Sequence, residues 1–138
     1  MKNILIVDDE KEIAELLSVY FVTEGFQVLT AGTIKEAEGL IDTNSIDIAL
    51  LDVMLPDGDG FTLCRKIREK YMFPIIMLTA KETELDKITG LTYGADDYVT
   101  KPFRPLEVVA RVKAQIRRSS LYTTNAVQSS DDVYVMFG

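Results

Sequence analysis

The chain contains no histidine, and that absence removes two kinds of chemistry at once. Without imidazole there is no His-based catalytic triad and no His-ligated zinc. Cysteine is almost as scarce: Cys64 stands alone and cannot form an internal bridge. Its helical spacing from Phe61 and Ile67 makes it read as a small buried core residue. With nothing pointing to disulfides, a reducing compartment is expected. Positive charge is also short. Fifteen Lys and Arg face 22 Asp and Glu, a net charge of −7, which argues against this segment being a nucleic-acid-binding surface. No apolar run approaches the ~20 residues of a membrane span. Met-Lys-Asn-Ile-Leu-Ile-Val enters a strand pattern directly, with no signal-peptide core or cleavage site. A cytoplasmic domain without membrane insertion is therefore expected. At 138 residues and 47% hydrophobic, the chain suits one globular domain with a sizeable core plus a short extension.

What is present is a set of short apolar runs ending in reactive residues. Residues 4–7 lead into Asp8-Asp9, residues 48–51 into Asp52, residues 75–78 into Thr79, and residues 98–100 into Lys101-Pro102. Each run is too short for a helix and too apolar to be half exposed, so each predicts a strand buried on both faces. Residues 26–31 supply a further strand. Helical patterns lie between. Ile13, Leu16, Leu17, Tyr20 and Phe21 share one helical face, with Gly25 as a left-handed C-cap. Thr33 opens a helix with Glu36 three residues on, a capping-box pattern. Pro56-Asp57-Gly58-Asp59-Gly60 is a tight loop before a helix over about 61–70. A weaker helix follows over roughly 83–93, where Thr89, Gly90 and Thr92 lower the propensity. Pro105 starts the last helix, expected to end near Arg118. Strands alternating with helices imply an α/β fold with a parallel sheet. Five such units predict a flavodoxin-like (βα)5 doubly wound arrangement of strand order 2-1-3-4-5.

From Ser119 the composition turns to Ser, Thr, Asn and Gln, which reads as a linker. Residues 133–137 (Val-Tyr-Val-Met-Phe) look like a strand with no partner. The expectation is a first domain over residues 1–118, then over 119–138 a linker and the start of a second domain cut short.

Ligands of open parallel sheets bind at the carboxyl ends of the strands. Asp8, Asp9, Asp52, Thr79 and Lys101 would therefore meet in one crevice. A carboxylate such as Asp52 can attack phosphorus to give an acyl phosphate. Three neighbouring carboxylates repel one another and favour Mg²⁺, a hard cation that takes oxygen ligands. The Lys101 ammonium can grip a phosphoryl oxygen, while the Thr79 hydroxyl and the Ala80 backbone N–H can donate to others. Each residue has a plainer role open to it. Asp8 or Asp9 could cap the first helix, Asp52 could close an Asx-turn, Thr79 could be a turn hydroxyl, and Lys101 could sit in an ordinary extended dipeptide. All four would have to hold at four strand ends of one fold.

Asp8-Asp9, Asp52 followed by Pro56 and Gly60, Thr79-Ala80, Tyr98 and Lys101-Pro102 together resemble the receiver domain of two-component response regulators, from residue 2 to about 118. The resemblance implies that Asp52 is the phosphoacceptor from a phosphohistidine on a sensor histidine kinase. It implies Mg²⁺ held by Asp9, Asp52 and the Met54 backbone carbonyl, with Asp8 acting through water, and a cis Lys101–Pro102 bond. It also implies a switch in which Thr79 moves toward the phosphoryl group and Tyr98 rotates inward. Strand alternation independently puts Tyr98 on the side of Thr100.

Lys87, Asp96, Asp97, Glu107 and Arg111 further resemble the fourth-helix, fifth-strand, fifth-helix face of the OmpR/PhoB type, transcription regulators with a winged-helix, DNA-binding effector. That likeness implies a phosphorylation-dependent homodimer with intermolecular pairs Lys87–Glu107 and Asp97–Arg111, and DNA contact only through a C-terminal domain. A solvated charge stripe is the plainer reading of Glu107, Arg111 and Arg118. Residues 74–118 look most like vancomycin-resistance-type regulators. The resemblance implies a regulatory phosphoprotein that catalyses only its own phosphorylation and dephosphorylation. A haloacid-dehalogenase-type phosphatase would need a second Asp where Met54 stands. A stand-alone receiver acting as an interaction module is the remaining alternative.

Overall fold

A computed structural model of the chain describes residues 1–80 and 94–132, with side chains through residue 120. The predicted fourth helix, with Lys87, and the predicted final strand over 133–137 lie outside the described residues. The elements run β1 (Asn3–Val7), α1 (Lys11–Thr23), β2 (Gln27–Ala31), α2 (Ile34–Thr43), β3 (Ile48–Asp52), β4 (Met54–Leu55), β5 (Gly58–Asp59), α3 (Gly60–Arg68), β6 (Ile75–Thr79), β7 (Asp97–Thr100) and α4 (Pro105–Asp132).

Five strands form one parallel sheet in the order β2-β1-β3-β6-β7. Counted among the sheet's own strands, this is the expected 2-1-3-4-5. The two-sided burial read from the apolar runs is literal. Leu5, Val7, Ala49, Leu51, Ile75 and Met77 pack on the α2/α3 side, while Ile4, Ile6, Ile48, Leu50, Ile76 and Leu78 pack on the α1/α4 side. All twelve are fully buried. Successive residues of a strand face opposite ways, so a strand covered on both faces must be apolar at every position.

The helix ends follow their sequence signals. Gly25 (φ 92°) closes α1, with Phe26 N–H donating to Phe21 O and Gly25 N–H to Val22 O. This is the double-bonded glycine C-cap. The Phe21 and Phe26 rings meet edge-on at 5.3 Å beneath it. Thr33 caps α2 by accepting from Glu36 N–H, but Glu36 returns its bond to Gly32 N–H, one residue before the cap. Cys64 is fully buried, and burial pushes its thiol up to about 11, so it stays protonated.

Three expectations need correction. Leu16 is 46% exposed, because α1 turns Ala14, Leu17 and Phe21 toward the sheet and leaves Leu16 on the flank. The 56–60 loop is ordered into the β4–β5 antiparallel hairpin. The last helix does not end near Arg118 but continues to Asp132 through the stretch read as a linker. No Gly or Pro occurs between Leu106 and Phe137, so nothing in the backbone chemistry stops the helix.

Candidate functional site

The parallel register brings the strand ends level. Val7 pairs with Leu51, Asp52 with Leu78, and Thr79 with Thr100, so the residues at or just beyond these positions share one edge. Asp8, Asp52 and Thr79 are buried there. Asp8 Oδ1 accepts from Glu10 N–H at 2.9 Å, which tightens the turn into α1. This is a turn bond rather than a helix cap, since α1 has Glu10 at its N-cap and no side-chain cap hydrogen bond. Asp52 Oδ1 stands 3.4 Å from Met54 N, a long contact at the limit of a hydrogen bond. Lys101 N–H donates to Thr79 O at 2.6 Å, and the Lys101–Pro102 bond is cis as expected.

Lys101 sits at the centre. Its Nζ lies 3.0 Å from Asp8 Oδ2, 3.0 Å from Glu10 Oε1 and 3.3 Å from Asp52 Oδ2. Burial alone would lower its pKa, but the pairing with Asp8 and Glu10, helped by Asp52, raises it to about 12. The ammonium is fixed. Asp52 is the reverse case: burial and the nearby Asp8 charge push its carboxyl up to about 6 in spite of Lys101. One cation does not satisfy three carboxylates.

The crevice of about 340 Å³ is lined by Asp9, Glu10, Asp52, Met54, Thr79, Ala80 and Lys101. Carboxylate oxygens of Asp8, Glu10 and Asp52 come within 4.8 Å of one another. Asp8 Oδ2 is buried and, apart from its charge contact with Lys101, receives no aligned hydrogen bond. Converging hard oxygens, one of them under-satisfied, together with a carboxyl that resists ionising, fit a small divalent cation. Asp9 lines the crevice without joining the tight carboxylate group, and Glu10 joins it instead. The sequence reading passed over Glu10 as a site residue. The available signal was the unbroken Asp8-Asp9-Glu10 run at a strand end.

Tyr98, on β7, is half-buried against the α2/α3-side core. The described residues of the predicted dimer face, Asp96, Asp97, Glu107 and Arg111, are engaged within the chain. Arg111 Nη1 reaches Asp97 Oδ1 and Oδ2 at 2.9 and 3.1 Å, and its Nη2 reaches Glu107 at 3.4 Å. The hydrogen bonds Arg111 donates to Asp97, then the charges of Asp97 and Glu107, hold the guanidinium pKa above its usual value despite some burial. Asp96 accepts from Arg68 Nη2 and from Ile75 N–H, both at 2.8 Å. The Asp97–Arg111 pair, implied to form between two chains, here closes within one, since the last helix carries Arg111 directly beside β7.

A doubly wound five-stranded sheet with an acidic strand-end crevice and a strand-end lysine is the architecture of a signalling receiver. Residues 4–113 match the response regulator receiver domain family, and the chain belongs to it. It is 56% identical over 136 residues to the regulatory protein VanR of Enterococcus faecium, covering 99% of this chain and 58% of VanR. It is 53% identical over 133 residues to VanRc of Enterococcus gallinarum, covering 96% and 58%. The chain thus spans somewhat over half the length of these curated relatives. The fold is likewise shared with a two-component response regulator from Clostridium difficile (35% identity, TM-score 0.84, 86% and 98% covered). The BeF3-activated receiver domain of Klebsiella pneumoniae RstA is also similar (34%, TM-score 0.80, 84% and 99%). The likeness to vancomycin-resistance-type regulators therefore extends over nearly the whole chain. Among the described residues, no helix is long and apolar enough to cross a membrane.

Proposed function

We propose that Asp52 accepts a phosphoryl group from a phosphohistidine of a sensor histidine kinase, and that the acyl phosphate switches a surface used for dimerisation. The observation that carries this reading is the position of Asp52: buried at the end of β3, ionisable, and open to a crevice that already holds Lys101. In the transfer an Asp52 oxygen forms the new O–P bond while the N–P bond to the donor imidazole breaks. Lys101 then moves its contact from the Asp52 carboxylate to a phosphoryl oxygen. The Thr79 hydroxyl and the Ala80 N–H donate to the others. Asp9, Asp52 and the Met54 carbonyl would hold Mg²⁺, with Asp8 behind them. When bound, the ion neutralises charge on the phosphoryl oxygens.

Capture of the Thr79 hydroxyl leaves space that the half-buried Tyr98 ring turns into. That movement reshapes the face of β7 and the last helix. The Asp97–Arg111 pair then opens within the chain and re-forms across a two-fold axis, alongside Asp96, Lys87 and Glu107. Exposed pairs of this kind set geometry more than affinity. The similarity to VanR and VanRc, each longer than this chain, supports a whole protein that regulates transcription in the cytoplasm through a DNA-binding part beyond the receiver.

Incubation with Mg²⁺ and a small acyl-phosphate donor, followed by intact-mass measurement, tests the reading. One phosphoryl group is expected on the native chain and none on Asp52→Asn, with the phosphorylated chain sedimenting as a dimer. Uptake that persists in Asp52→Asn, or steady release of phosphate without a covalent intermediate, would refute it.

A further inference from the structure

We infer that Asp57 is a positioning residue that docks the β4–β5 hairpin onto the N-terminus of α2 and so holds Met54 in register beside Asp52. This inference rests on the function proposed above. The hairpin has two residues in each strand, too few to be stable by pairing alone. Its base is fixed by its neighbours. Asp59 caps α3 by accepting from Phe61 N–H, and Gly60 N–H donates to Val53 O at 2.7 Å. A Cβ at Gly60 would fall 2.1 Å from the Asp52 carbonyl oxygen, so the chain passes as close to the phosphoacceptor backbone as a glycine allows.

The tip is held from a different element. Asp57 Oδ1 accepts from Ile34 N–H at 2.8 Å, and Oδ2 accepts from Lys35 N–H at 3.1 Å. The first turn of a helix leaves backbone N–H groups without intrahelical partners. Here Thr33 serves that of Glu36, and Asp57, more than twenty residues away, serves the two before it. Gly58 (φ 153°) packs so closely that a Cβ would lie 2.7 Å from Ile34 Cδ1. Negative charge at a helix N-terminus is favourable, and these backbone bonds hold the Asp57 carboxyl below its ordinary value. Met54, at the start of the hairpin, pairs with Asp59 and lines the crevice. Release of the tip therefore loosens the backbone that would face the cation, although Asp57 never touches the crevice itself.

The test is Mg²⁺ titration of the unphosphorylated chain by calorimetry, with melting curves alongside, for native protein, Asp57→Ala, Asp57→Asn and Thr33→Ala. Asp57→Ala is expected to weaken Mg²⁺ binding threefold or more, with Asp57→Asn recovering part of the loss through one remaining acceptor oxygen. Thr33→Ala removes the helix's own cap, so it should lower Tm and leave Mg²⁺ affinity unchanged. Should Asp57→Ala fail to fold, the ranking of Asp57→Asn against Thr33→Ala carries the same comparison. Native-like Mg²⁺ affinity in the Asp57 variants overturns the inference, as does an equal loss in Thr33→Ala. A native chain that binds no Mg²⁺ overturns the reading of the crevice as well.

Discussion

The two ends of the same sheet treat their aspartates in opposite ways. At the amino end, Asp96 accepts from the Arg68 guanidinium and from Ile75 N–H. Arg68 also donates to Gly94 O and Tyr71 O, and Asp47 accepts from Asn3 N–H at 2.7 Å. Each carboxylate there has a geometrically good donor, and the network ties α3, β6 and β7 together. At the carboxyl end, Asp8, Glu10 and Asp52 share one ammonium, Asp8 Oδ2 lacks an aligned donor, and burial with the Asp8 charge pushes the Asp52 carboxyl up to about 6. Satisfied carboxylates build structure. Unsatisfied ones store an affinity for something that arrives later.

Removing the cation should break this contrast most severely. Lys101→Ala leaves buried carboxylates without their counter-charge, and is expected to cost about 2–4 kcal/mol of stability at pH 7. Added Mg²⁺ should restore part of it, and denaturant titrations with and without the ion read both values. A Lys101→Ala chain as stable as the native one would show that the carboxyl end is not frustrated.

The next effect is on pH dependence. Unfolded, Asp52 titrates near 3.8, and folded it titrates near 6. Between those values the folded state binds the extra proton, so this group's contribution rises as pH falls from about 7 toward 4. Discounted for solvent screening, about 1–2 kcal/mol is expected. In chelator, Asp52→Asn should therefore be more stable than the native chain at pH 7, with the gap closing at pH 4. Lys101 works in the other direction: its raised pKa contributes stability that is fully present below its unfolded 10.5 and is lost as pH rises through about 12.

The smallest effect sharpens the comparison from the amino end. Arg68→Ala removes one donor from Asp96 but leaves it Ile75 N–H, so a loss of about 1–2 kcal/mol is expected. Phosphoryl uptake at Asp52 should be unchanged. A slowed uptake would mean that the two ends are coupled, and that the amino-end network is more than a brace.

Much of this was legible in advance for physical reasons. Strands buried on both faces have to be apolar at every position, which is why their ends could be located and why Asp8, Asp52, Thr79 and Lys101 stood out. Gly25 and Thr33 announced their helix ends through local chemistry. Leu16 was misplaced because an i, i+3, i+4 pattern defines a wide face without saying which side of it meets the sheet. Glu10 was missed because an exposed glutamate beside two aspartates looks like a solvated charge until Lys101 is brought over it. The partner of Asp96 could not be read, since Arg68 lies 28 residues away on α3, whereas Asp97, expected to meet Arg111 across two chains, meets it within one.

By itself, then, the sequence determined the buried runs, the capped helix ends and the residue types that stand at the strand ends. Periodicity and capping act over a few residues, and these features need nothing longer. Only the tertiary structure decided which charges share a partner: Lys101 with Asp8, Glu10 and Asp52, Asp57 with the first turn of α2, and Arg111 with Asp97 inside one chain. Charge pairing depends on distances between segments far apart along the chain, and those distances exist only once the sheet has closed.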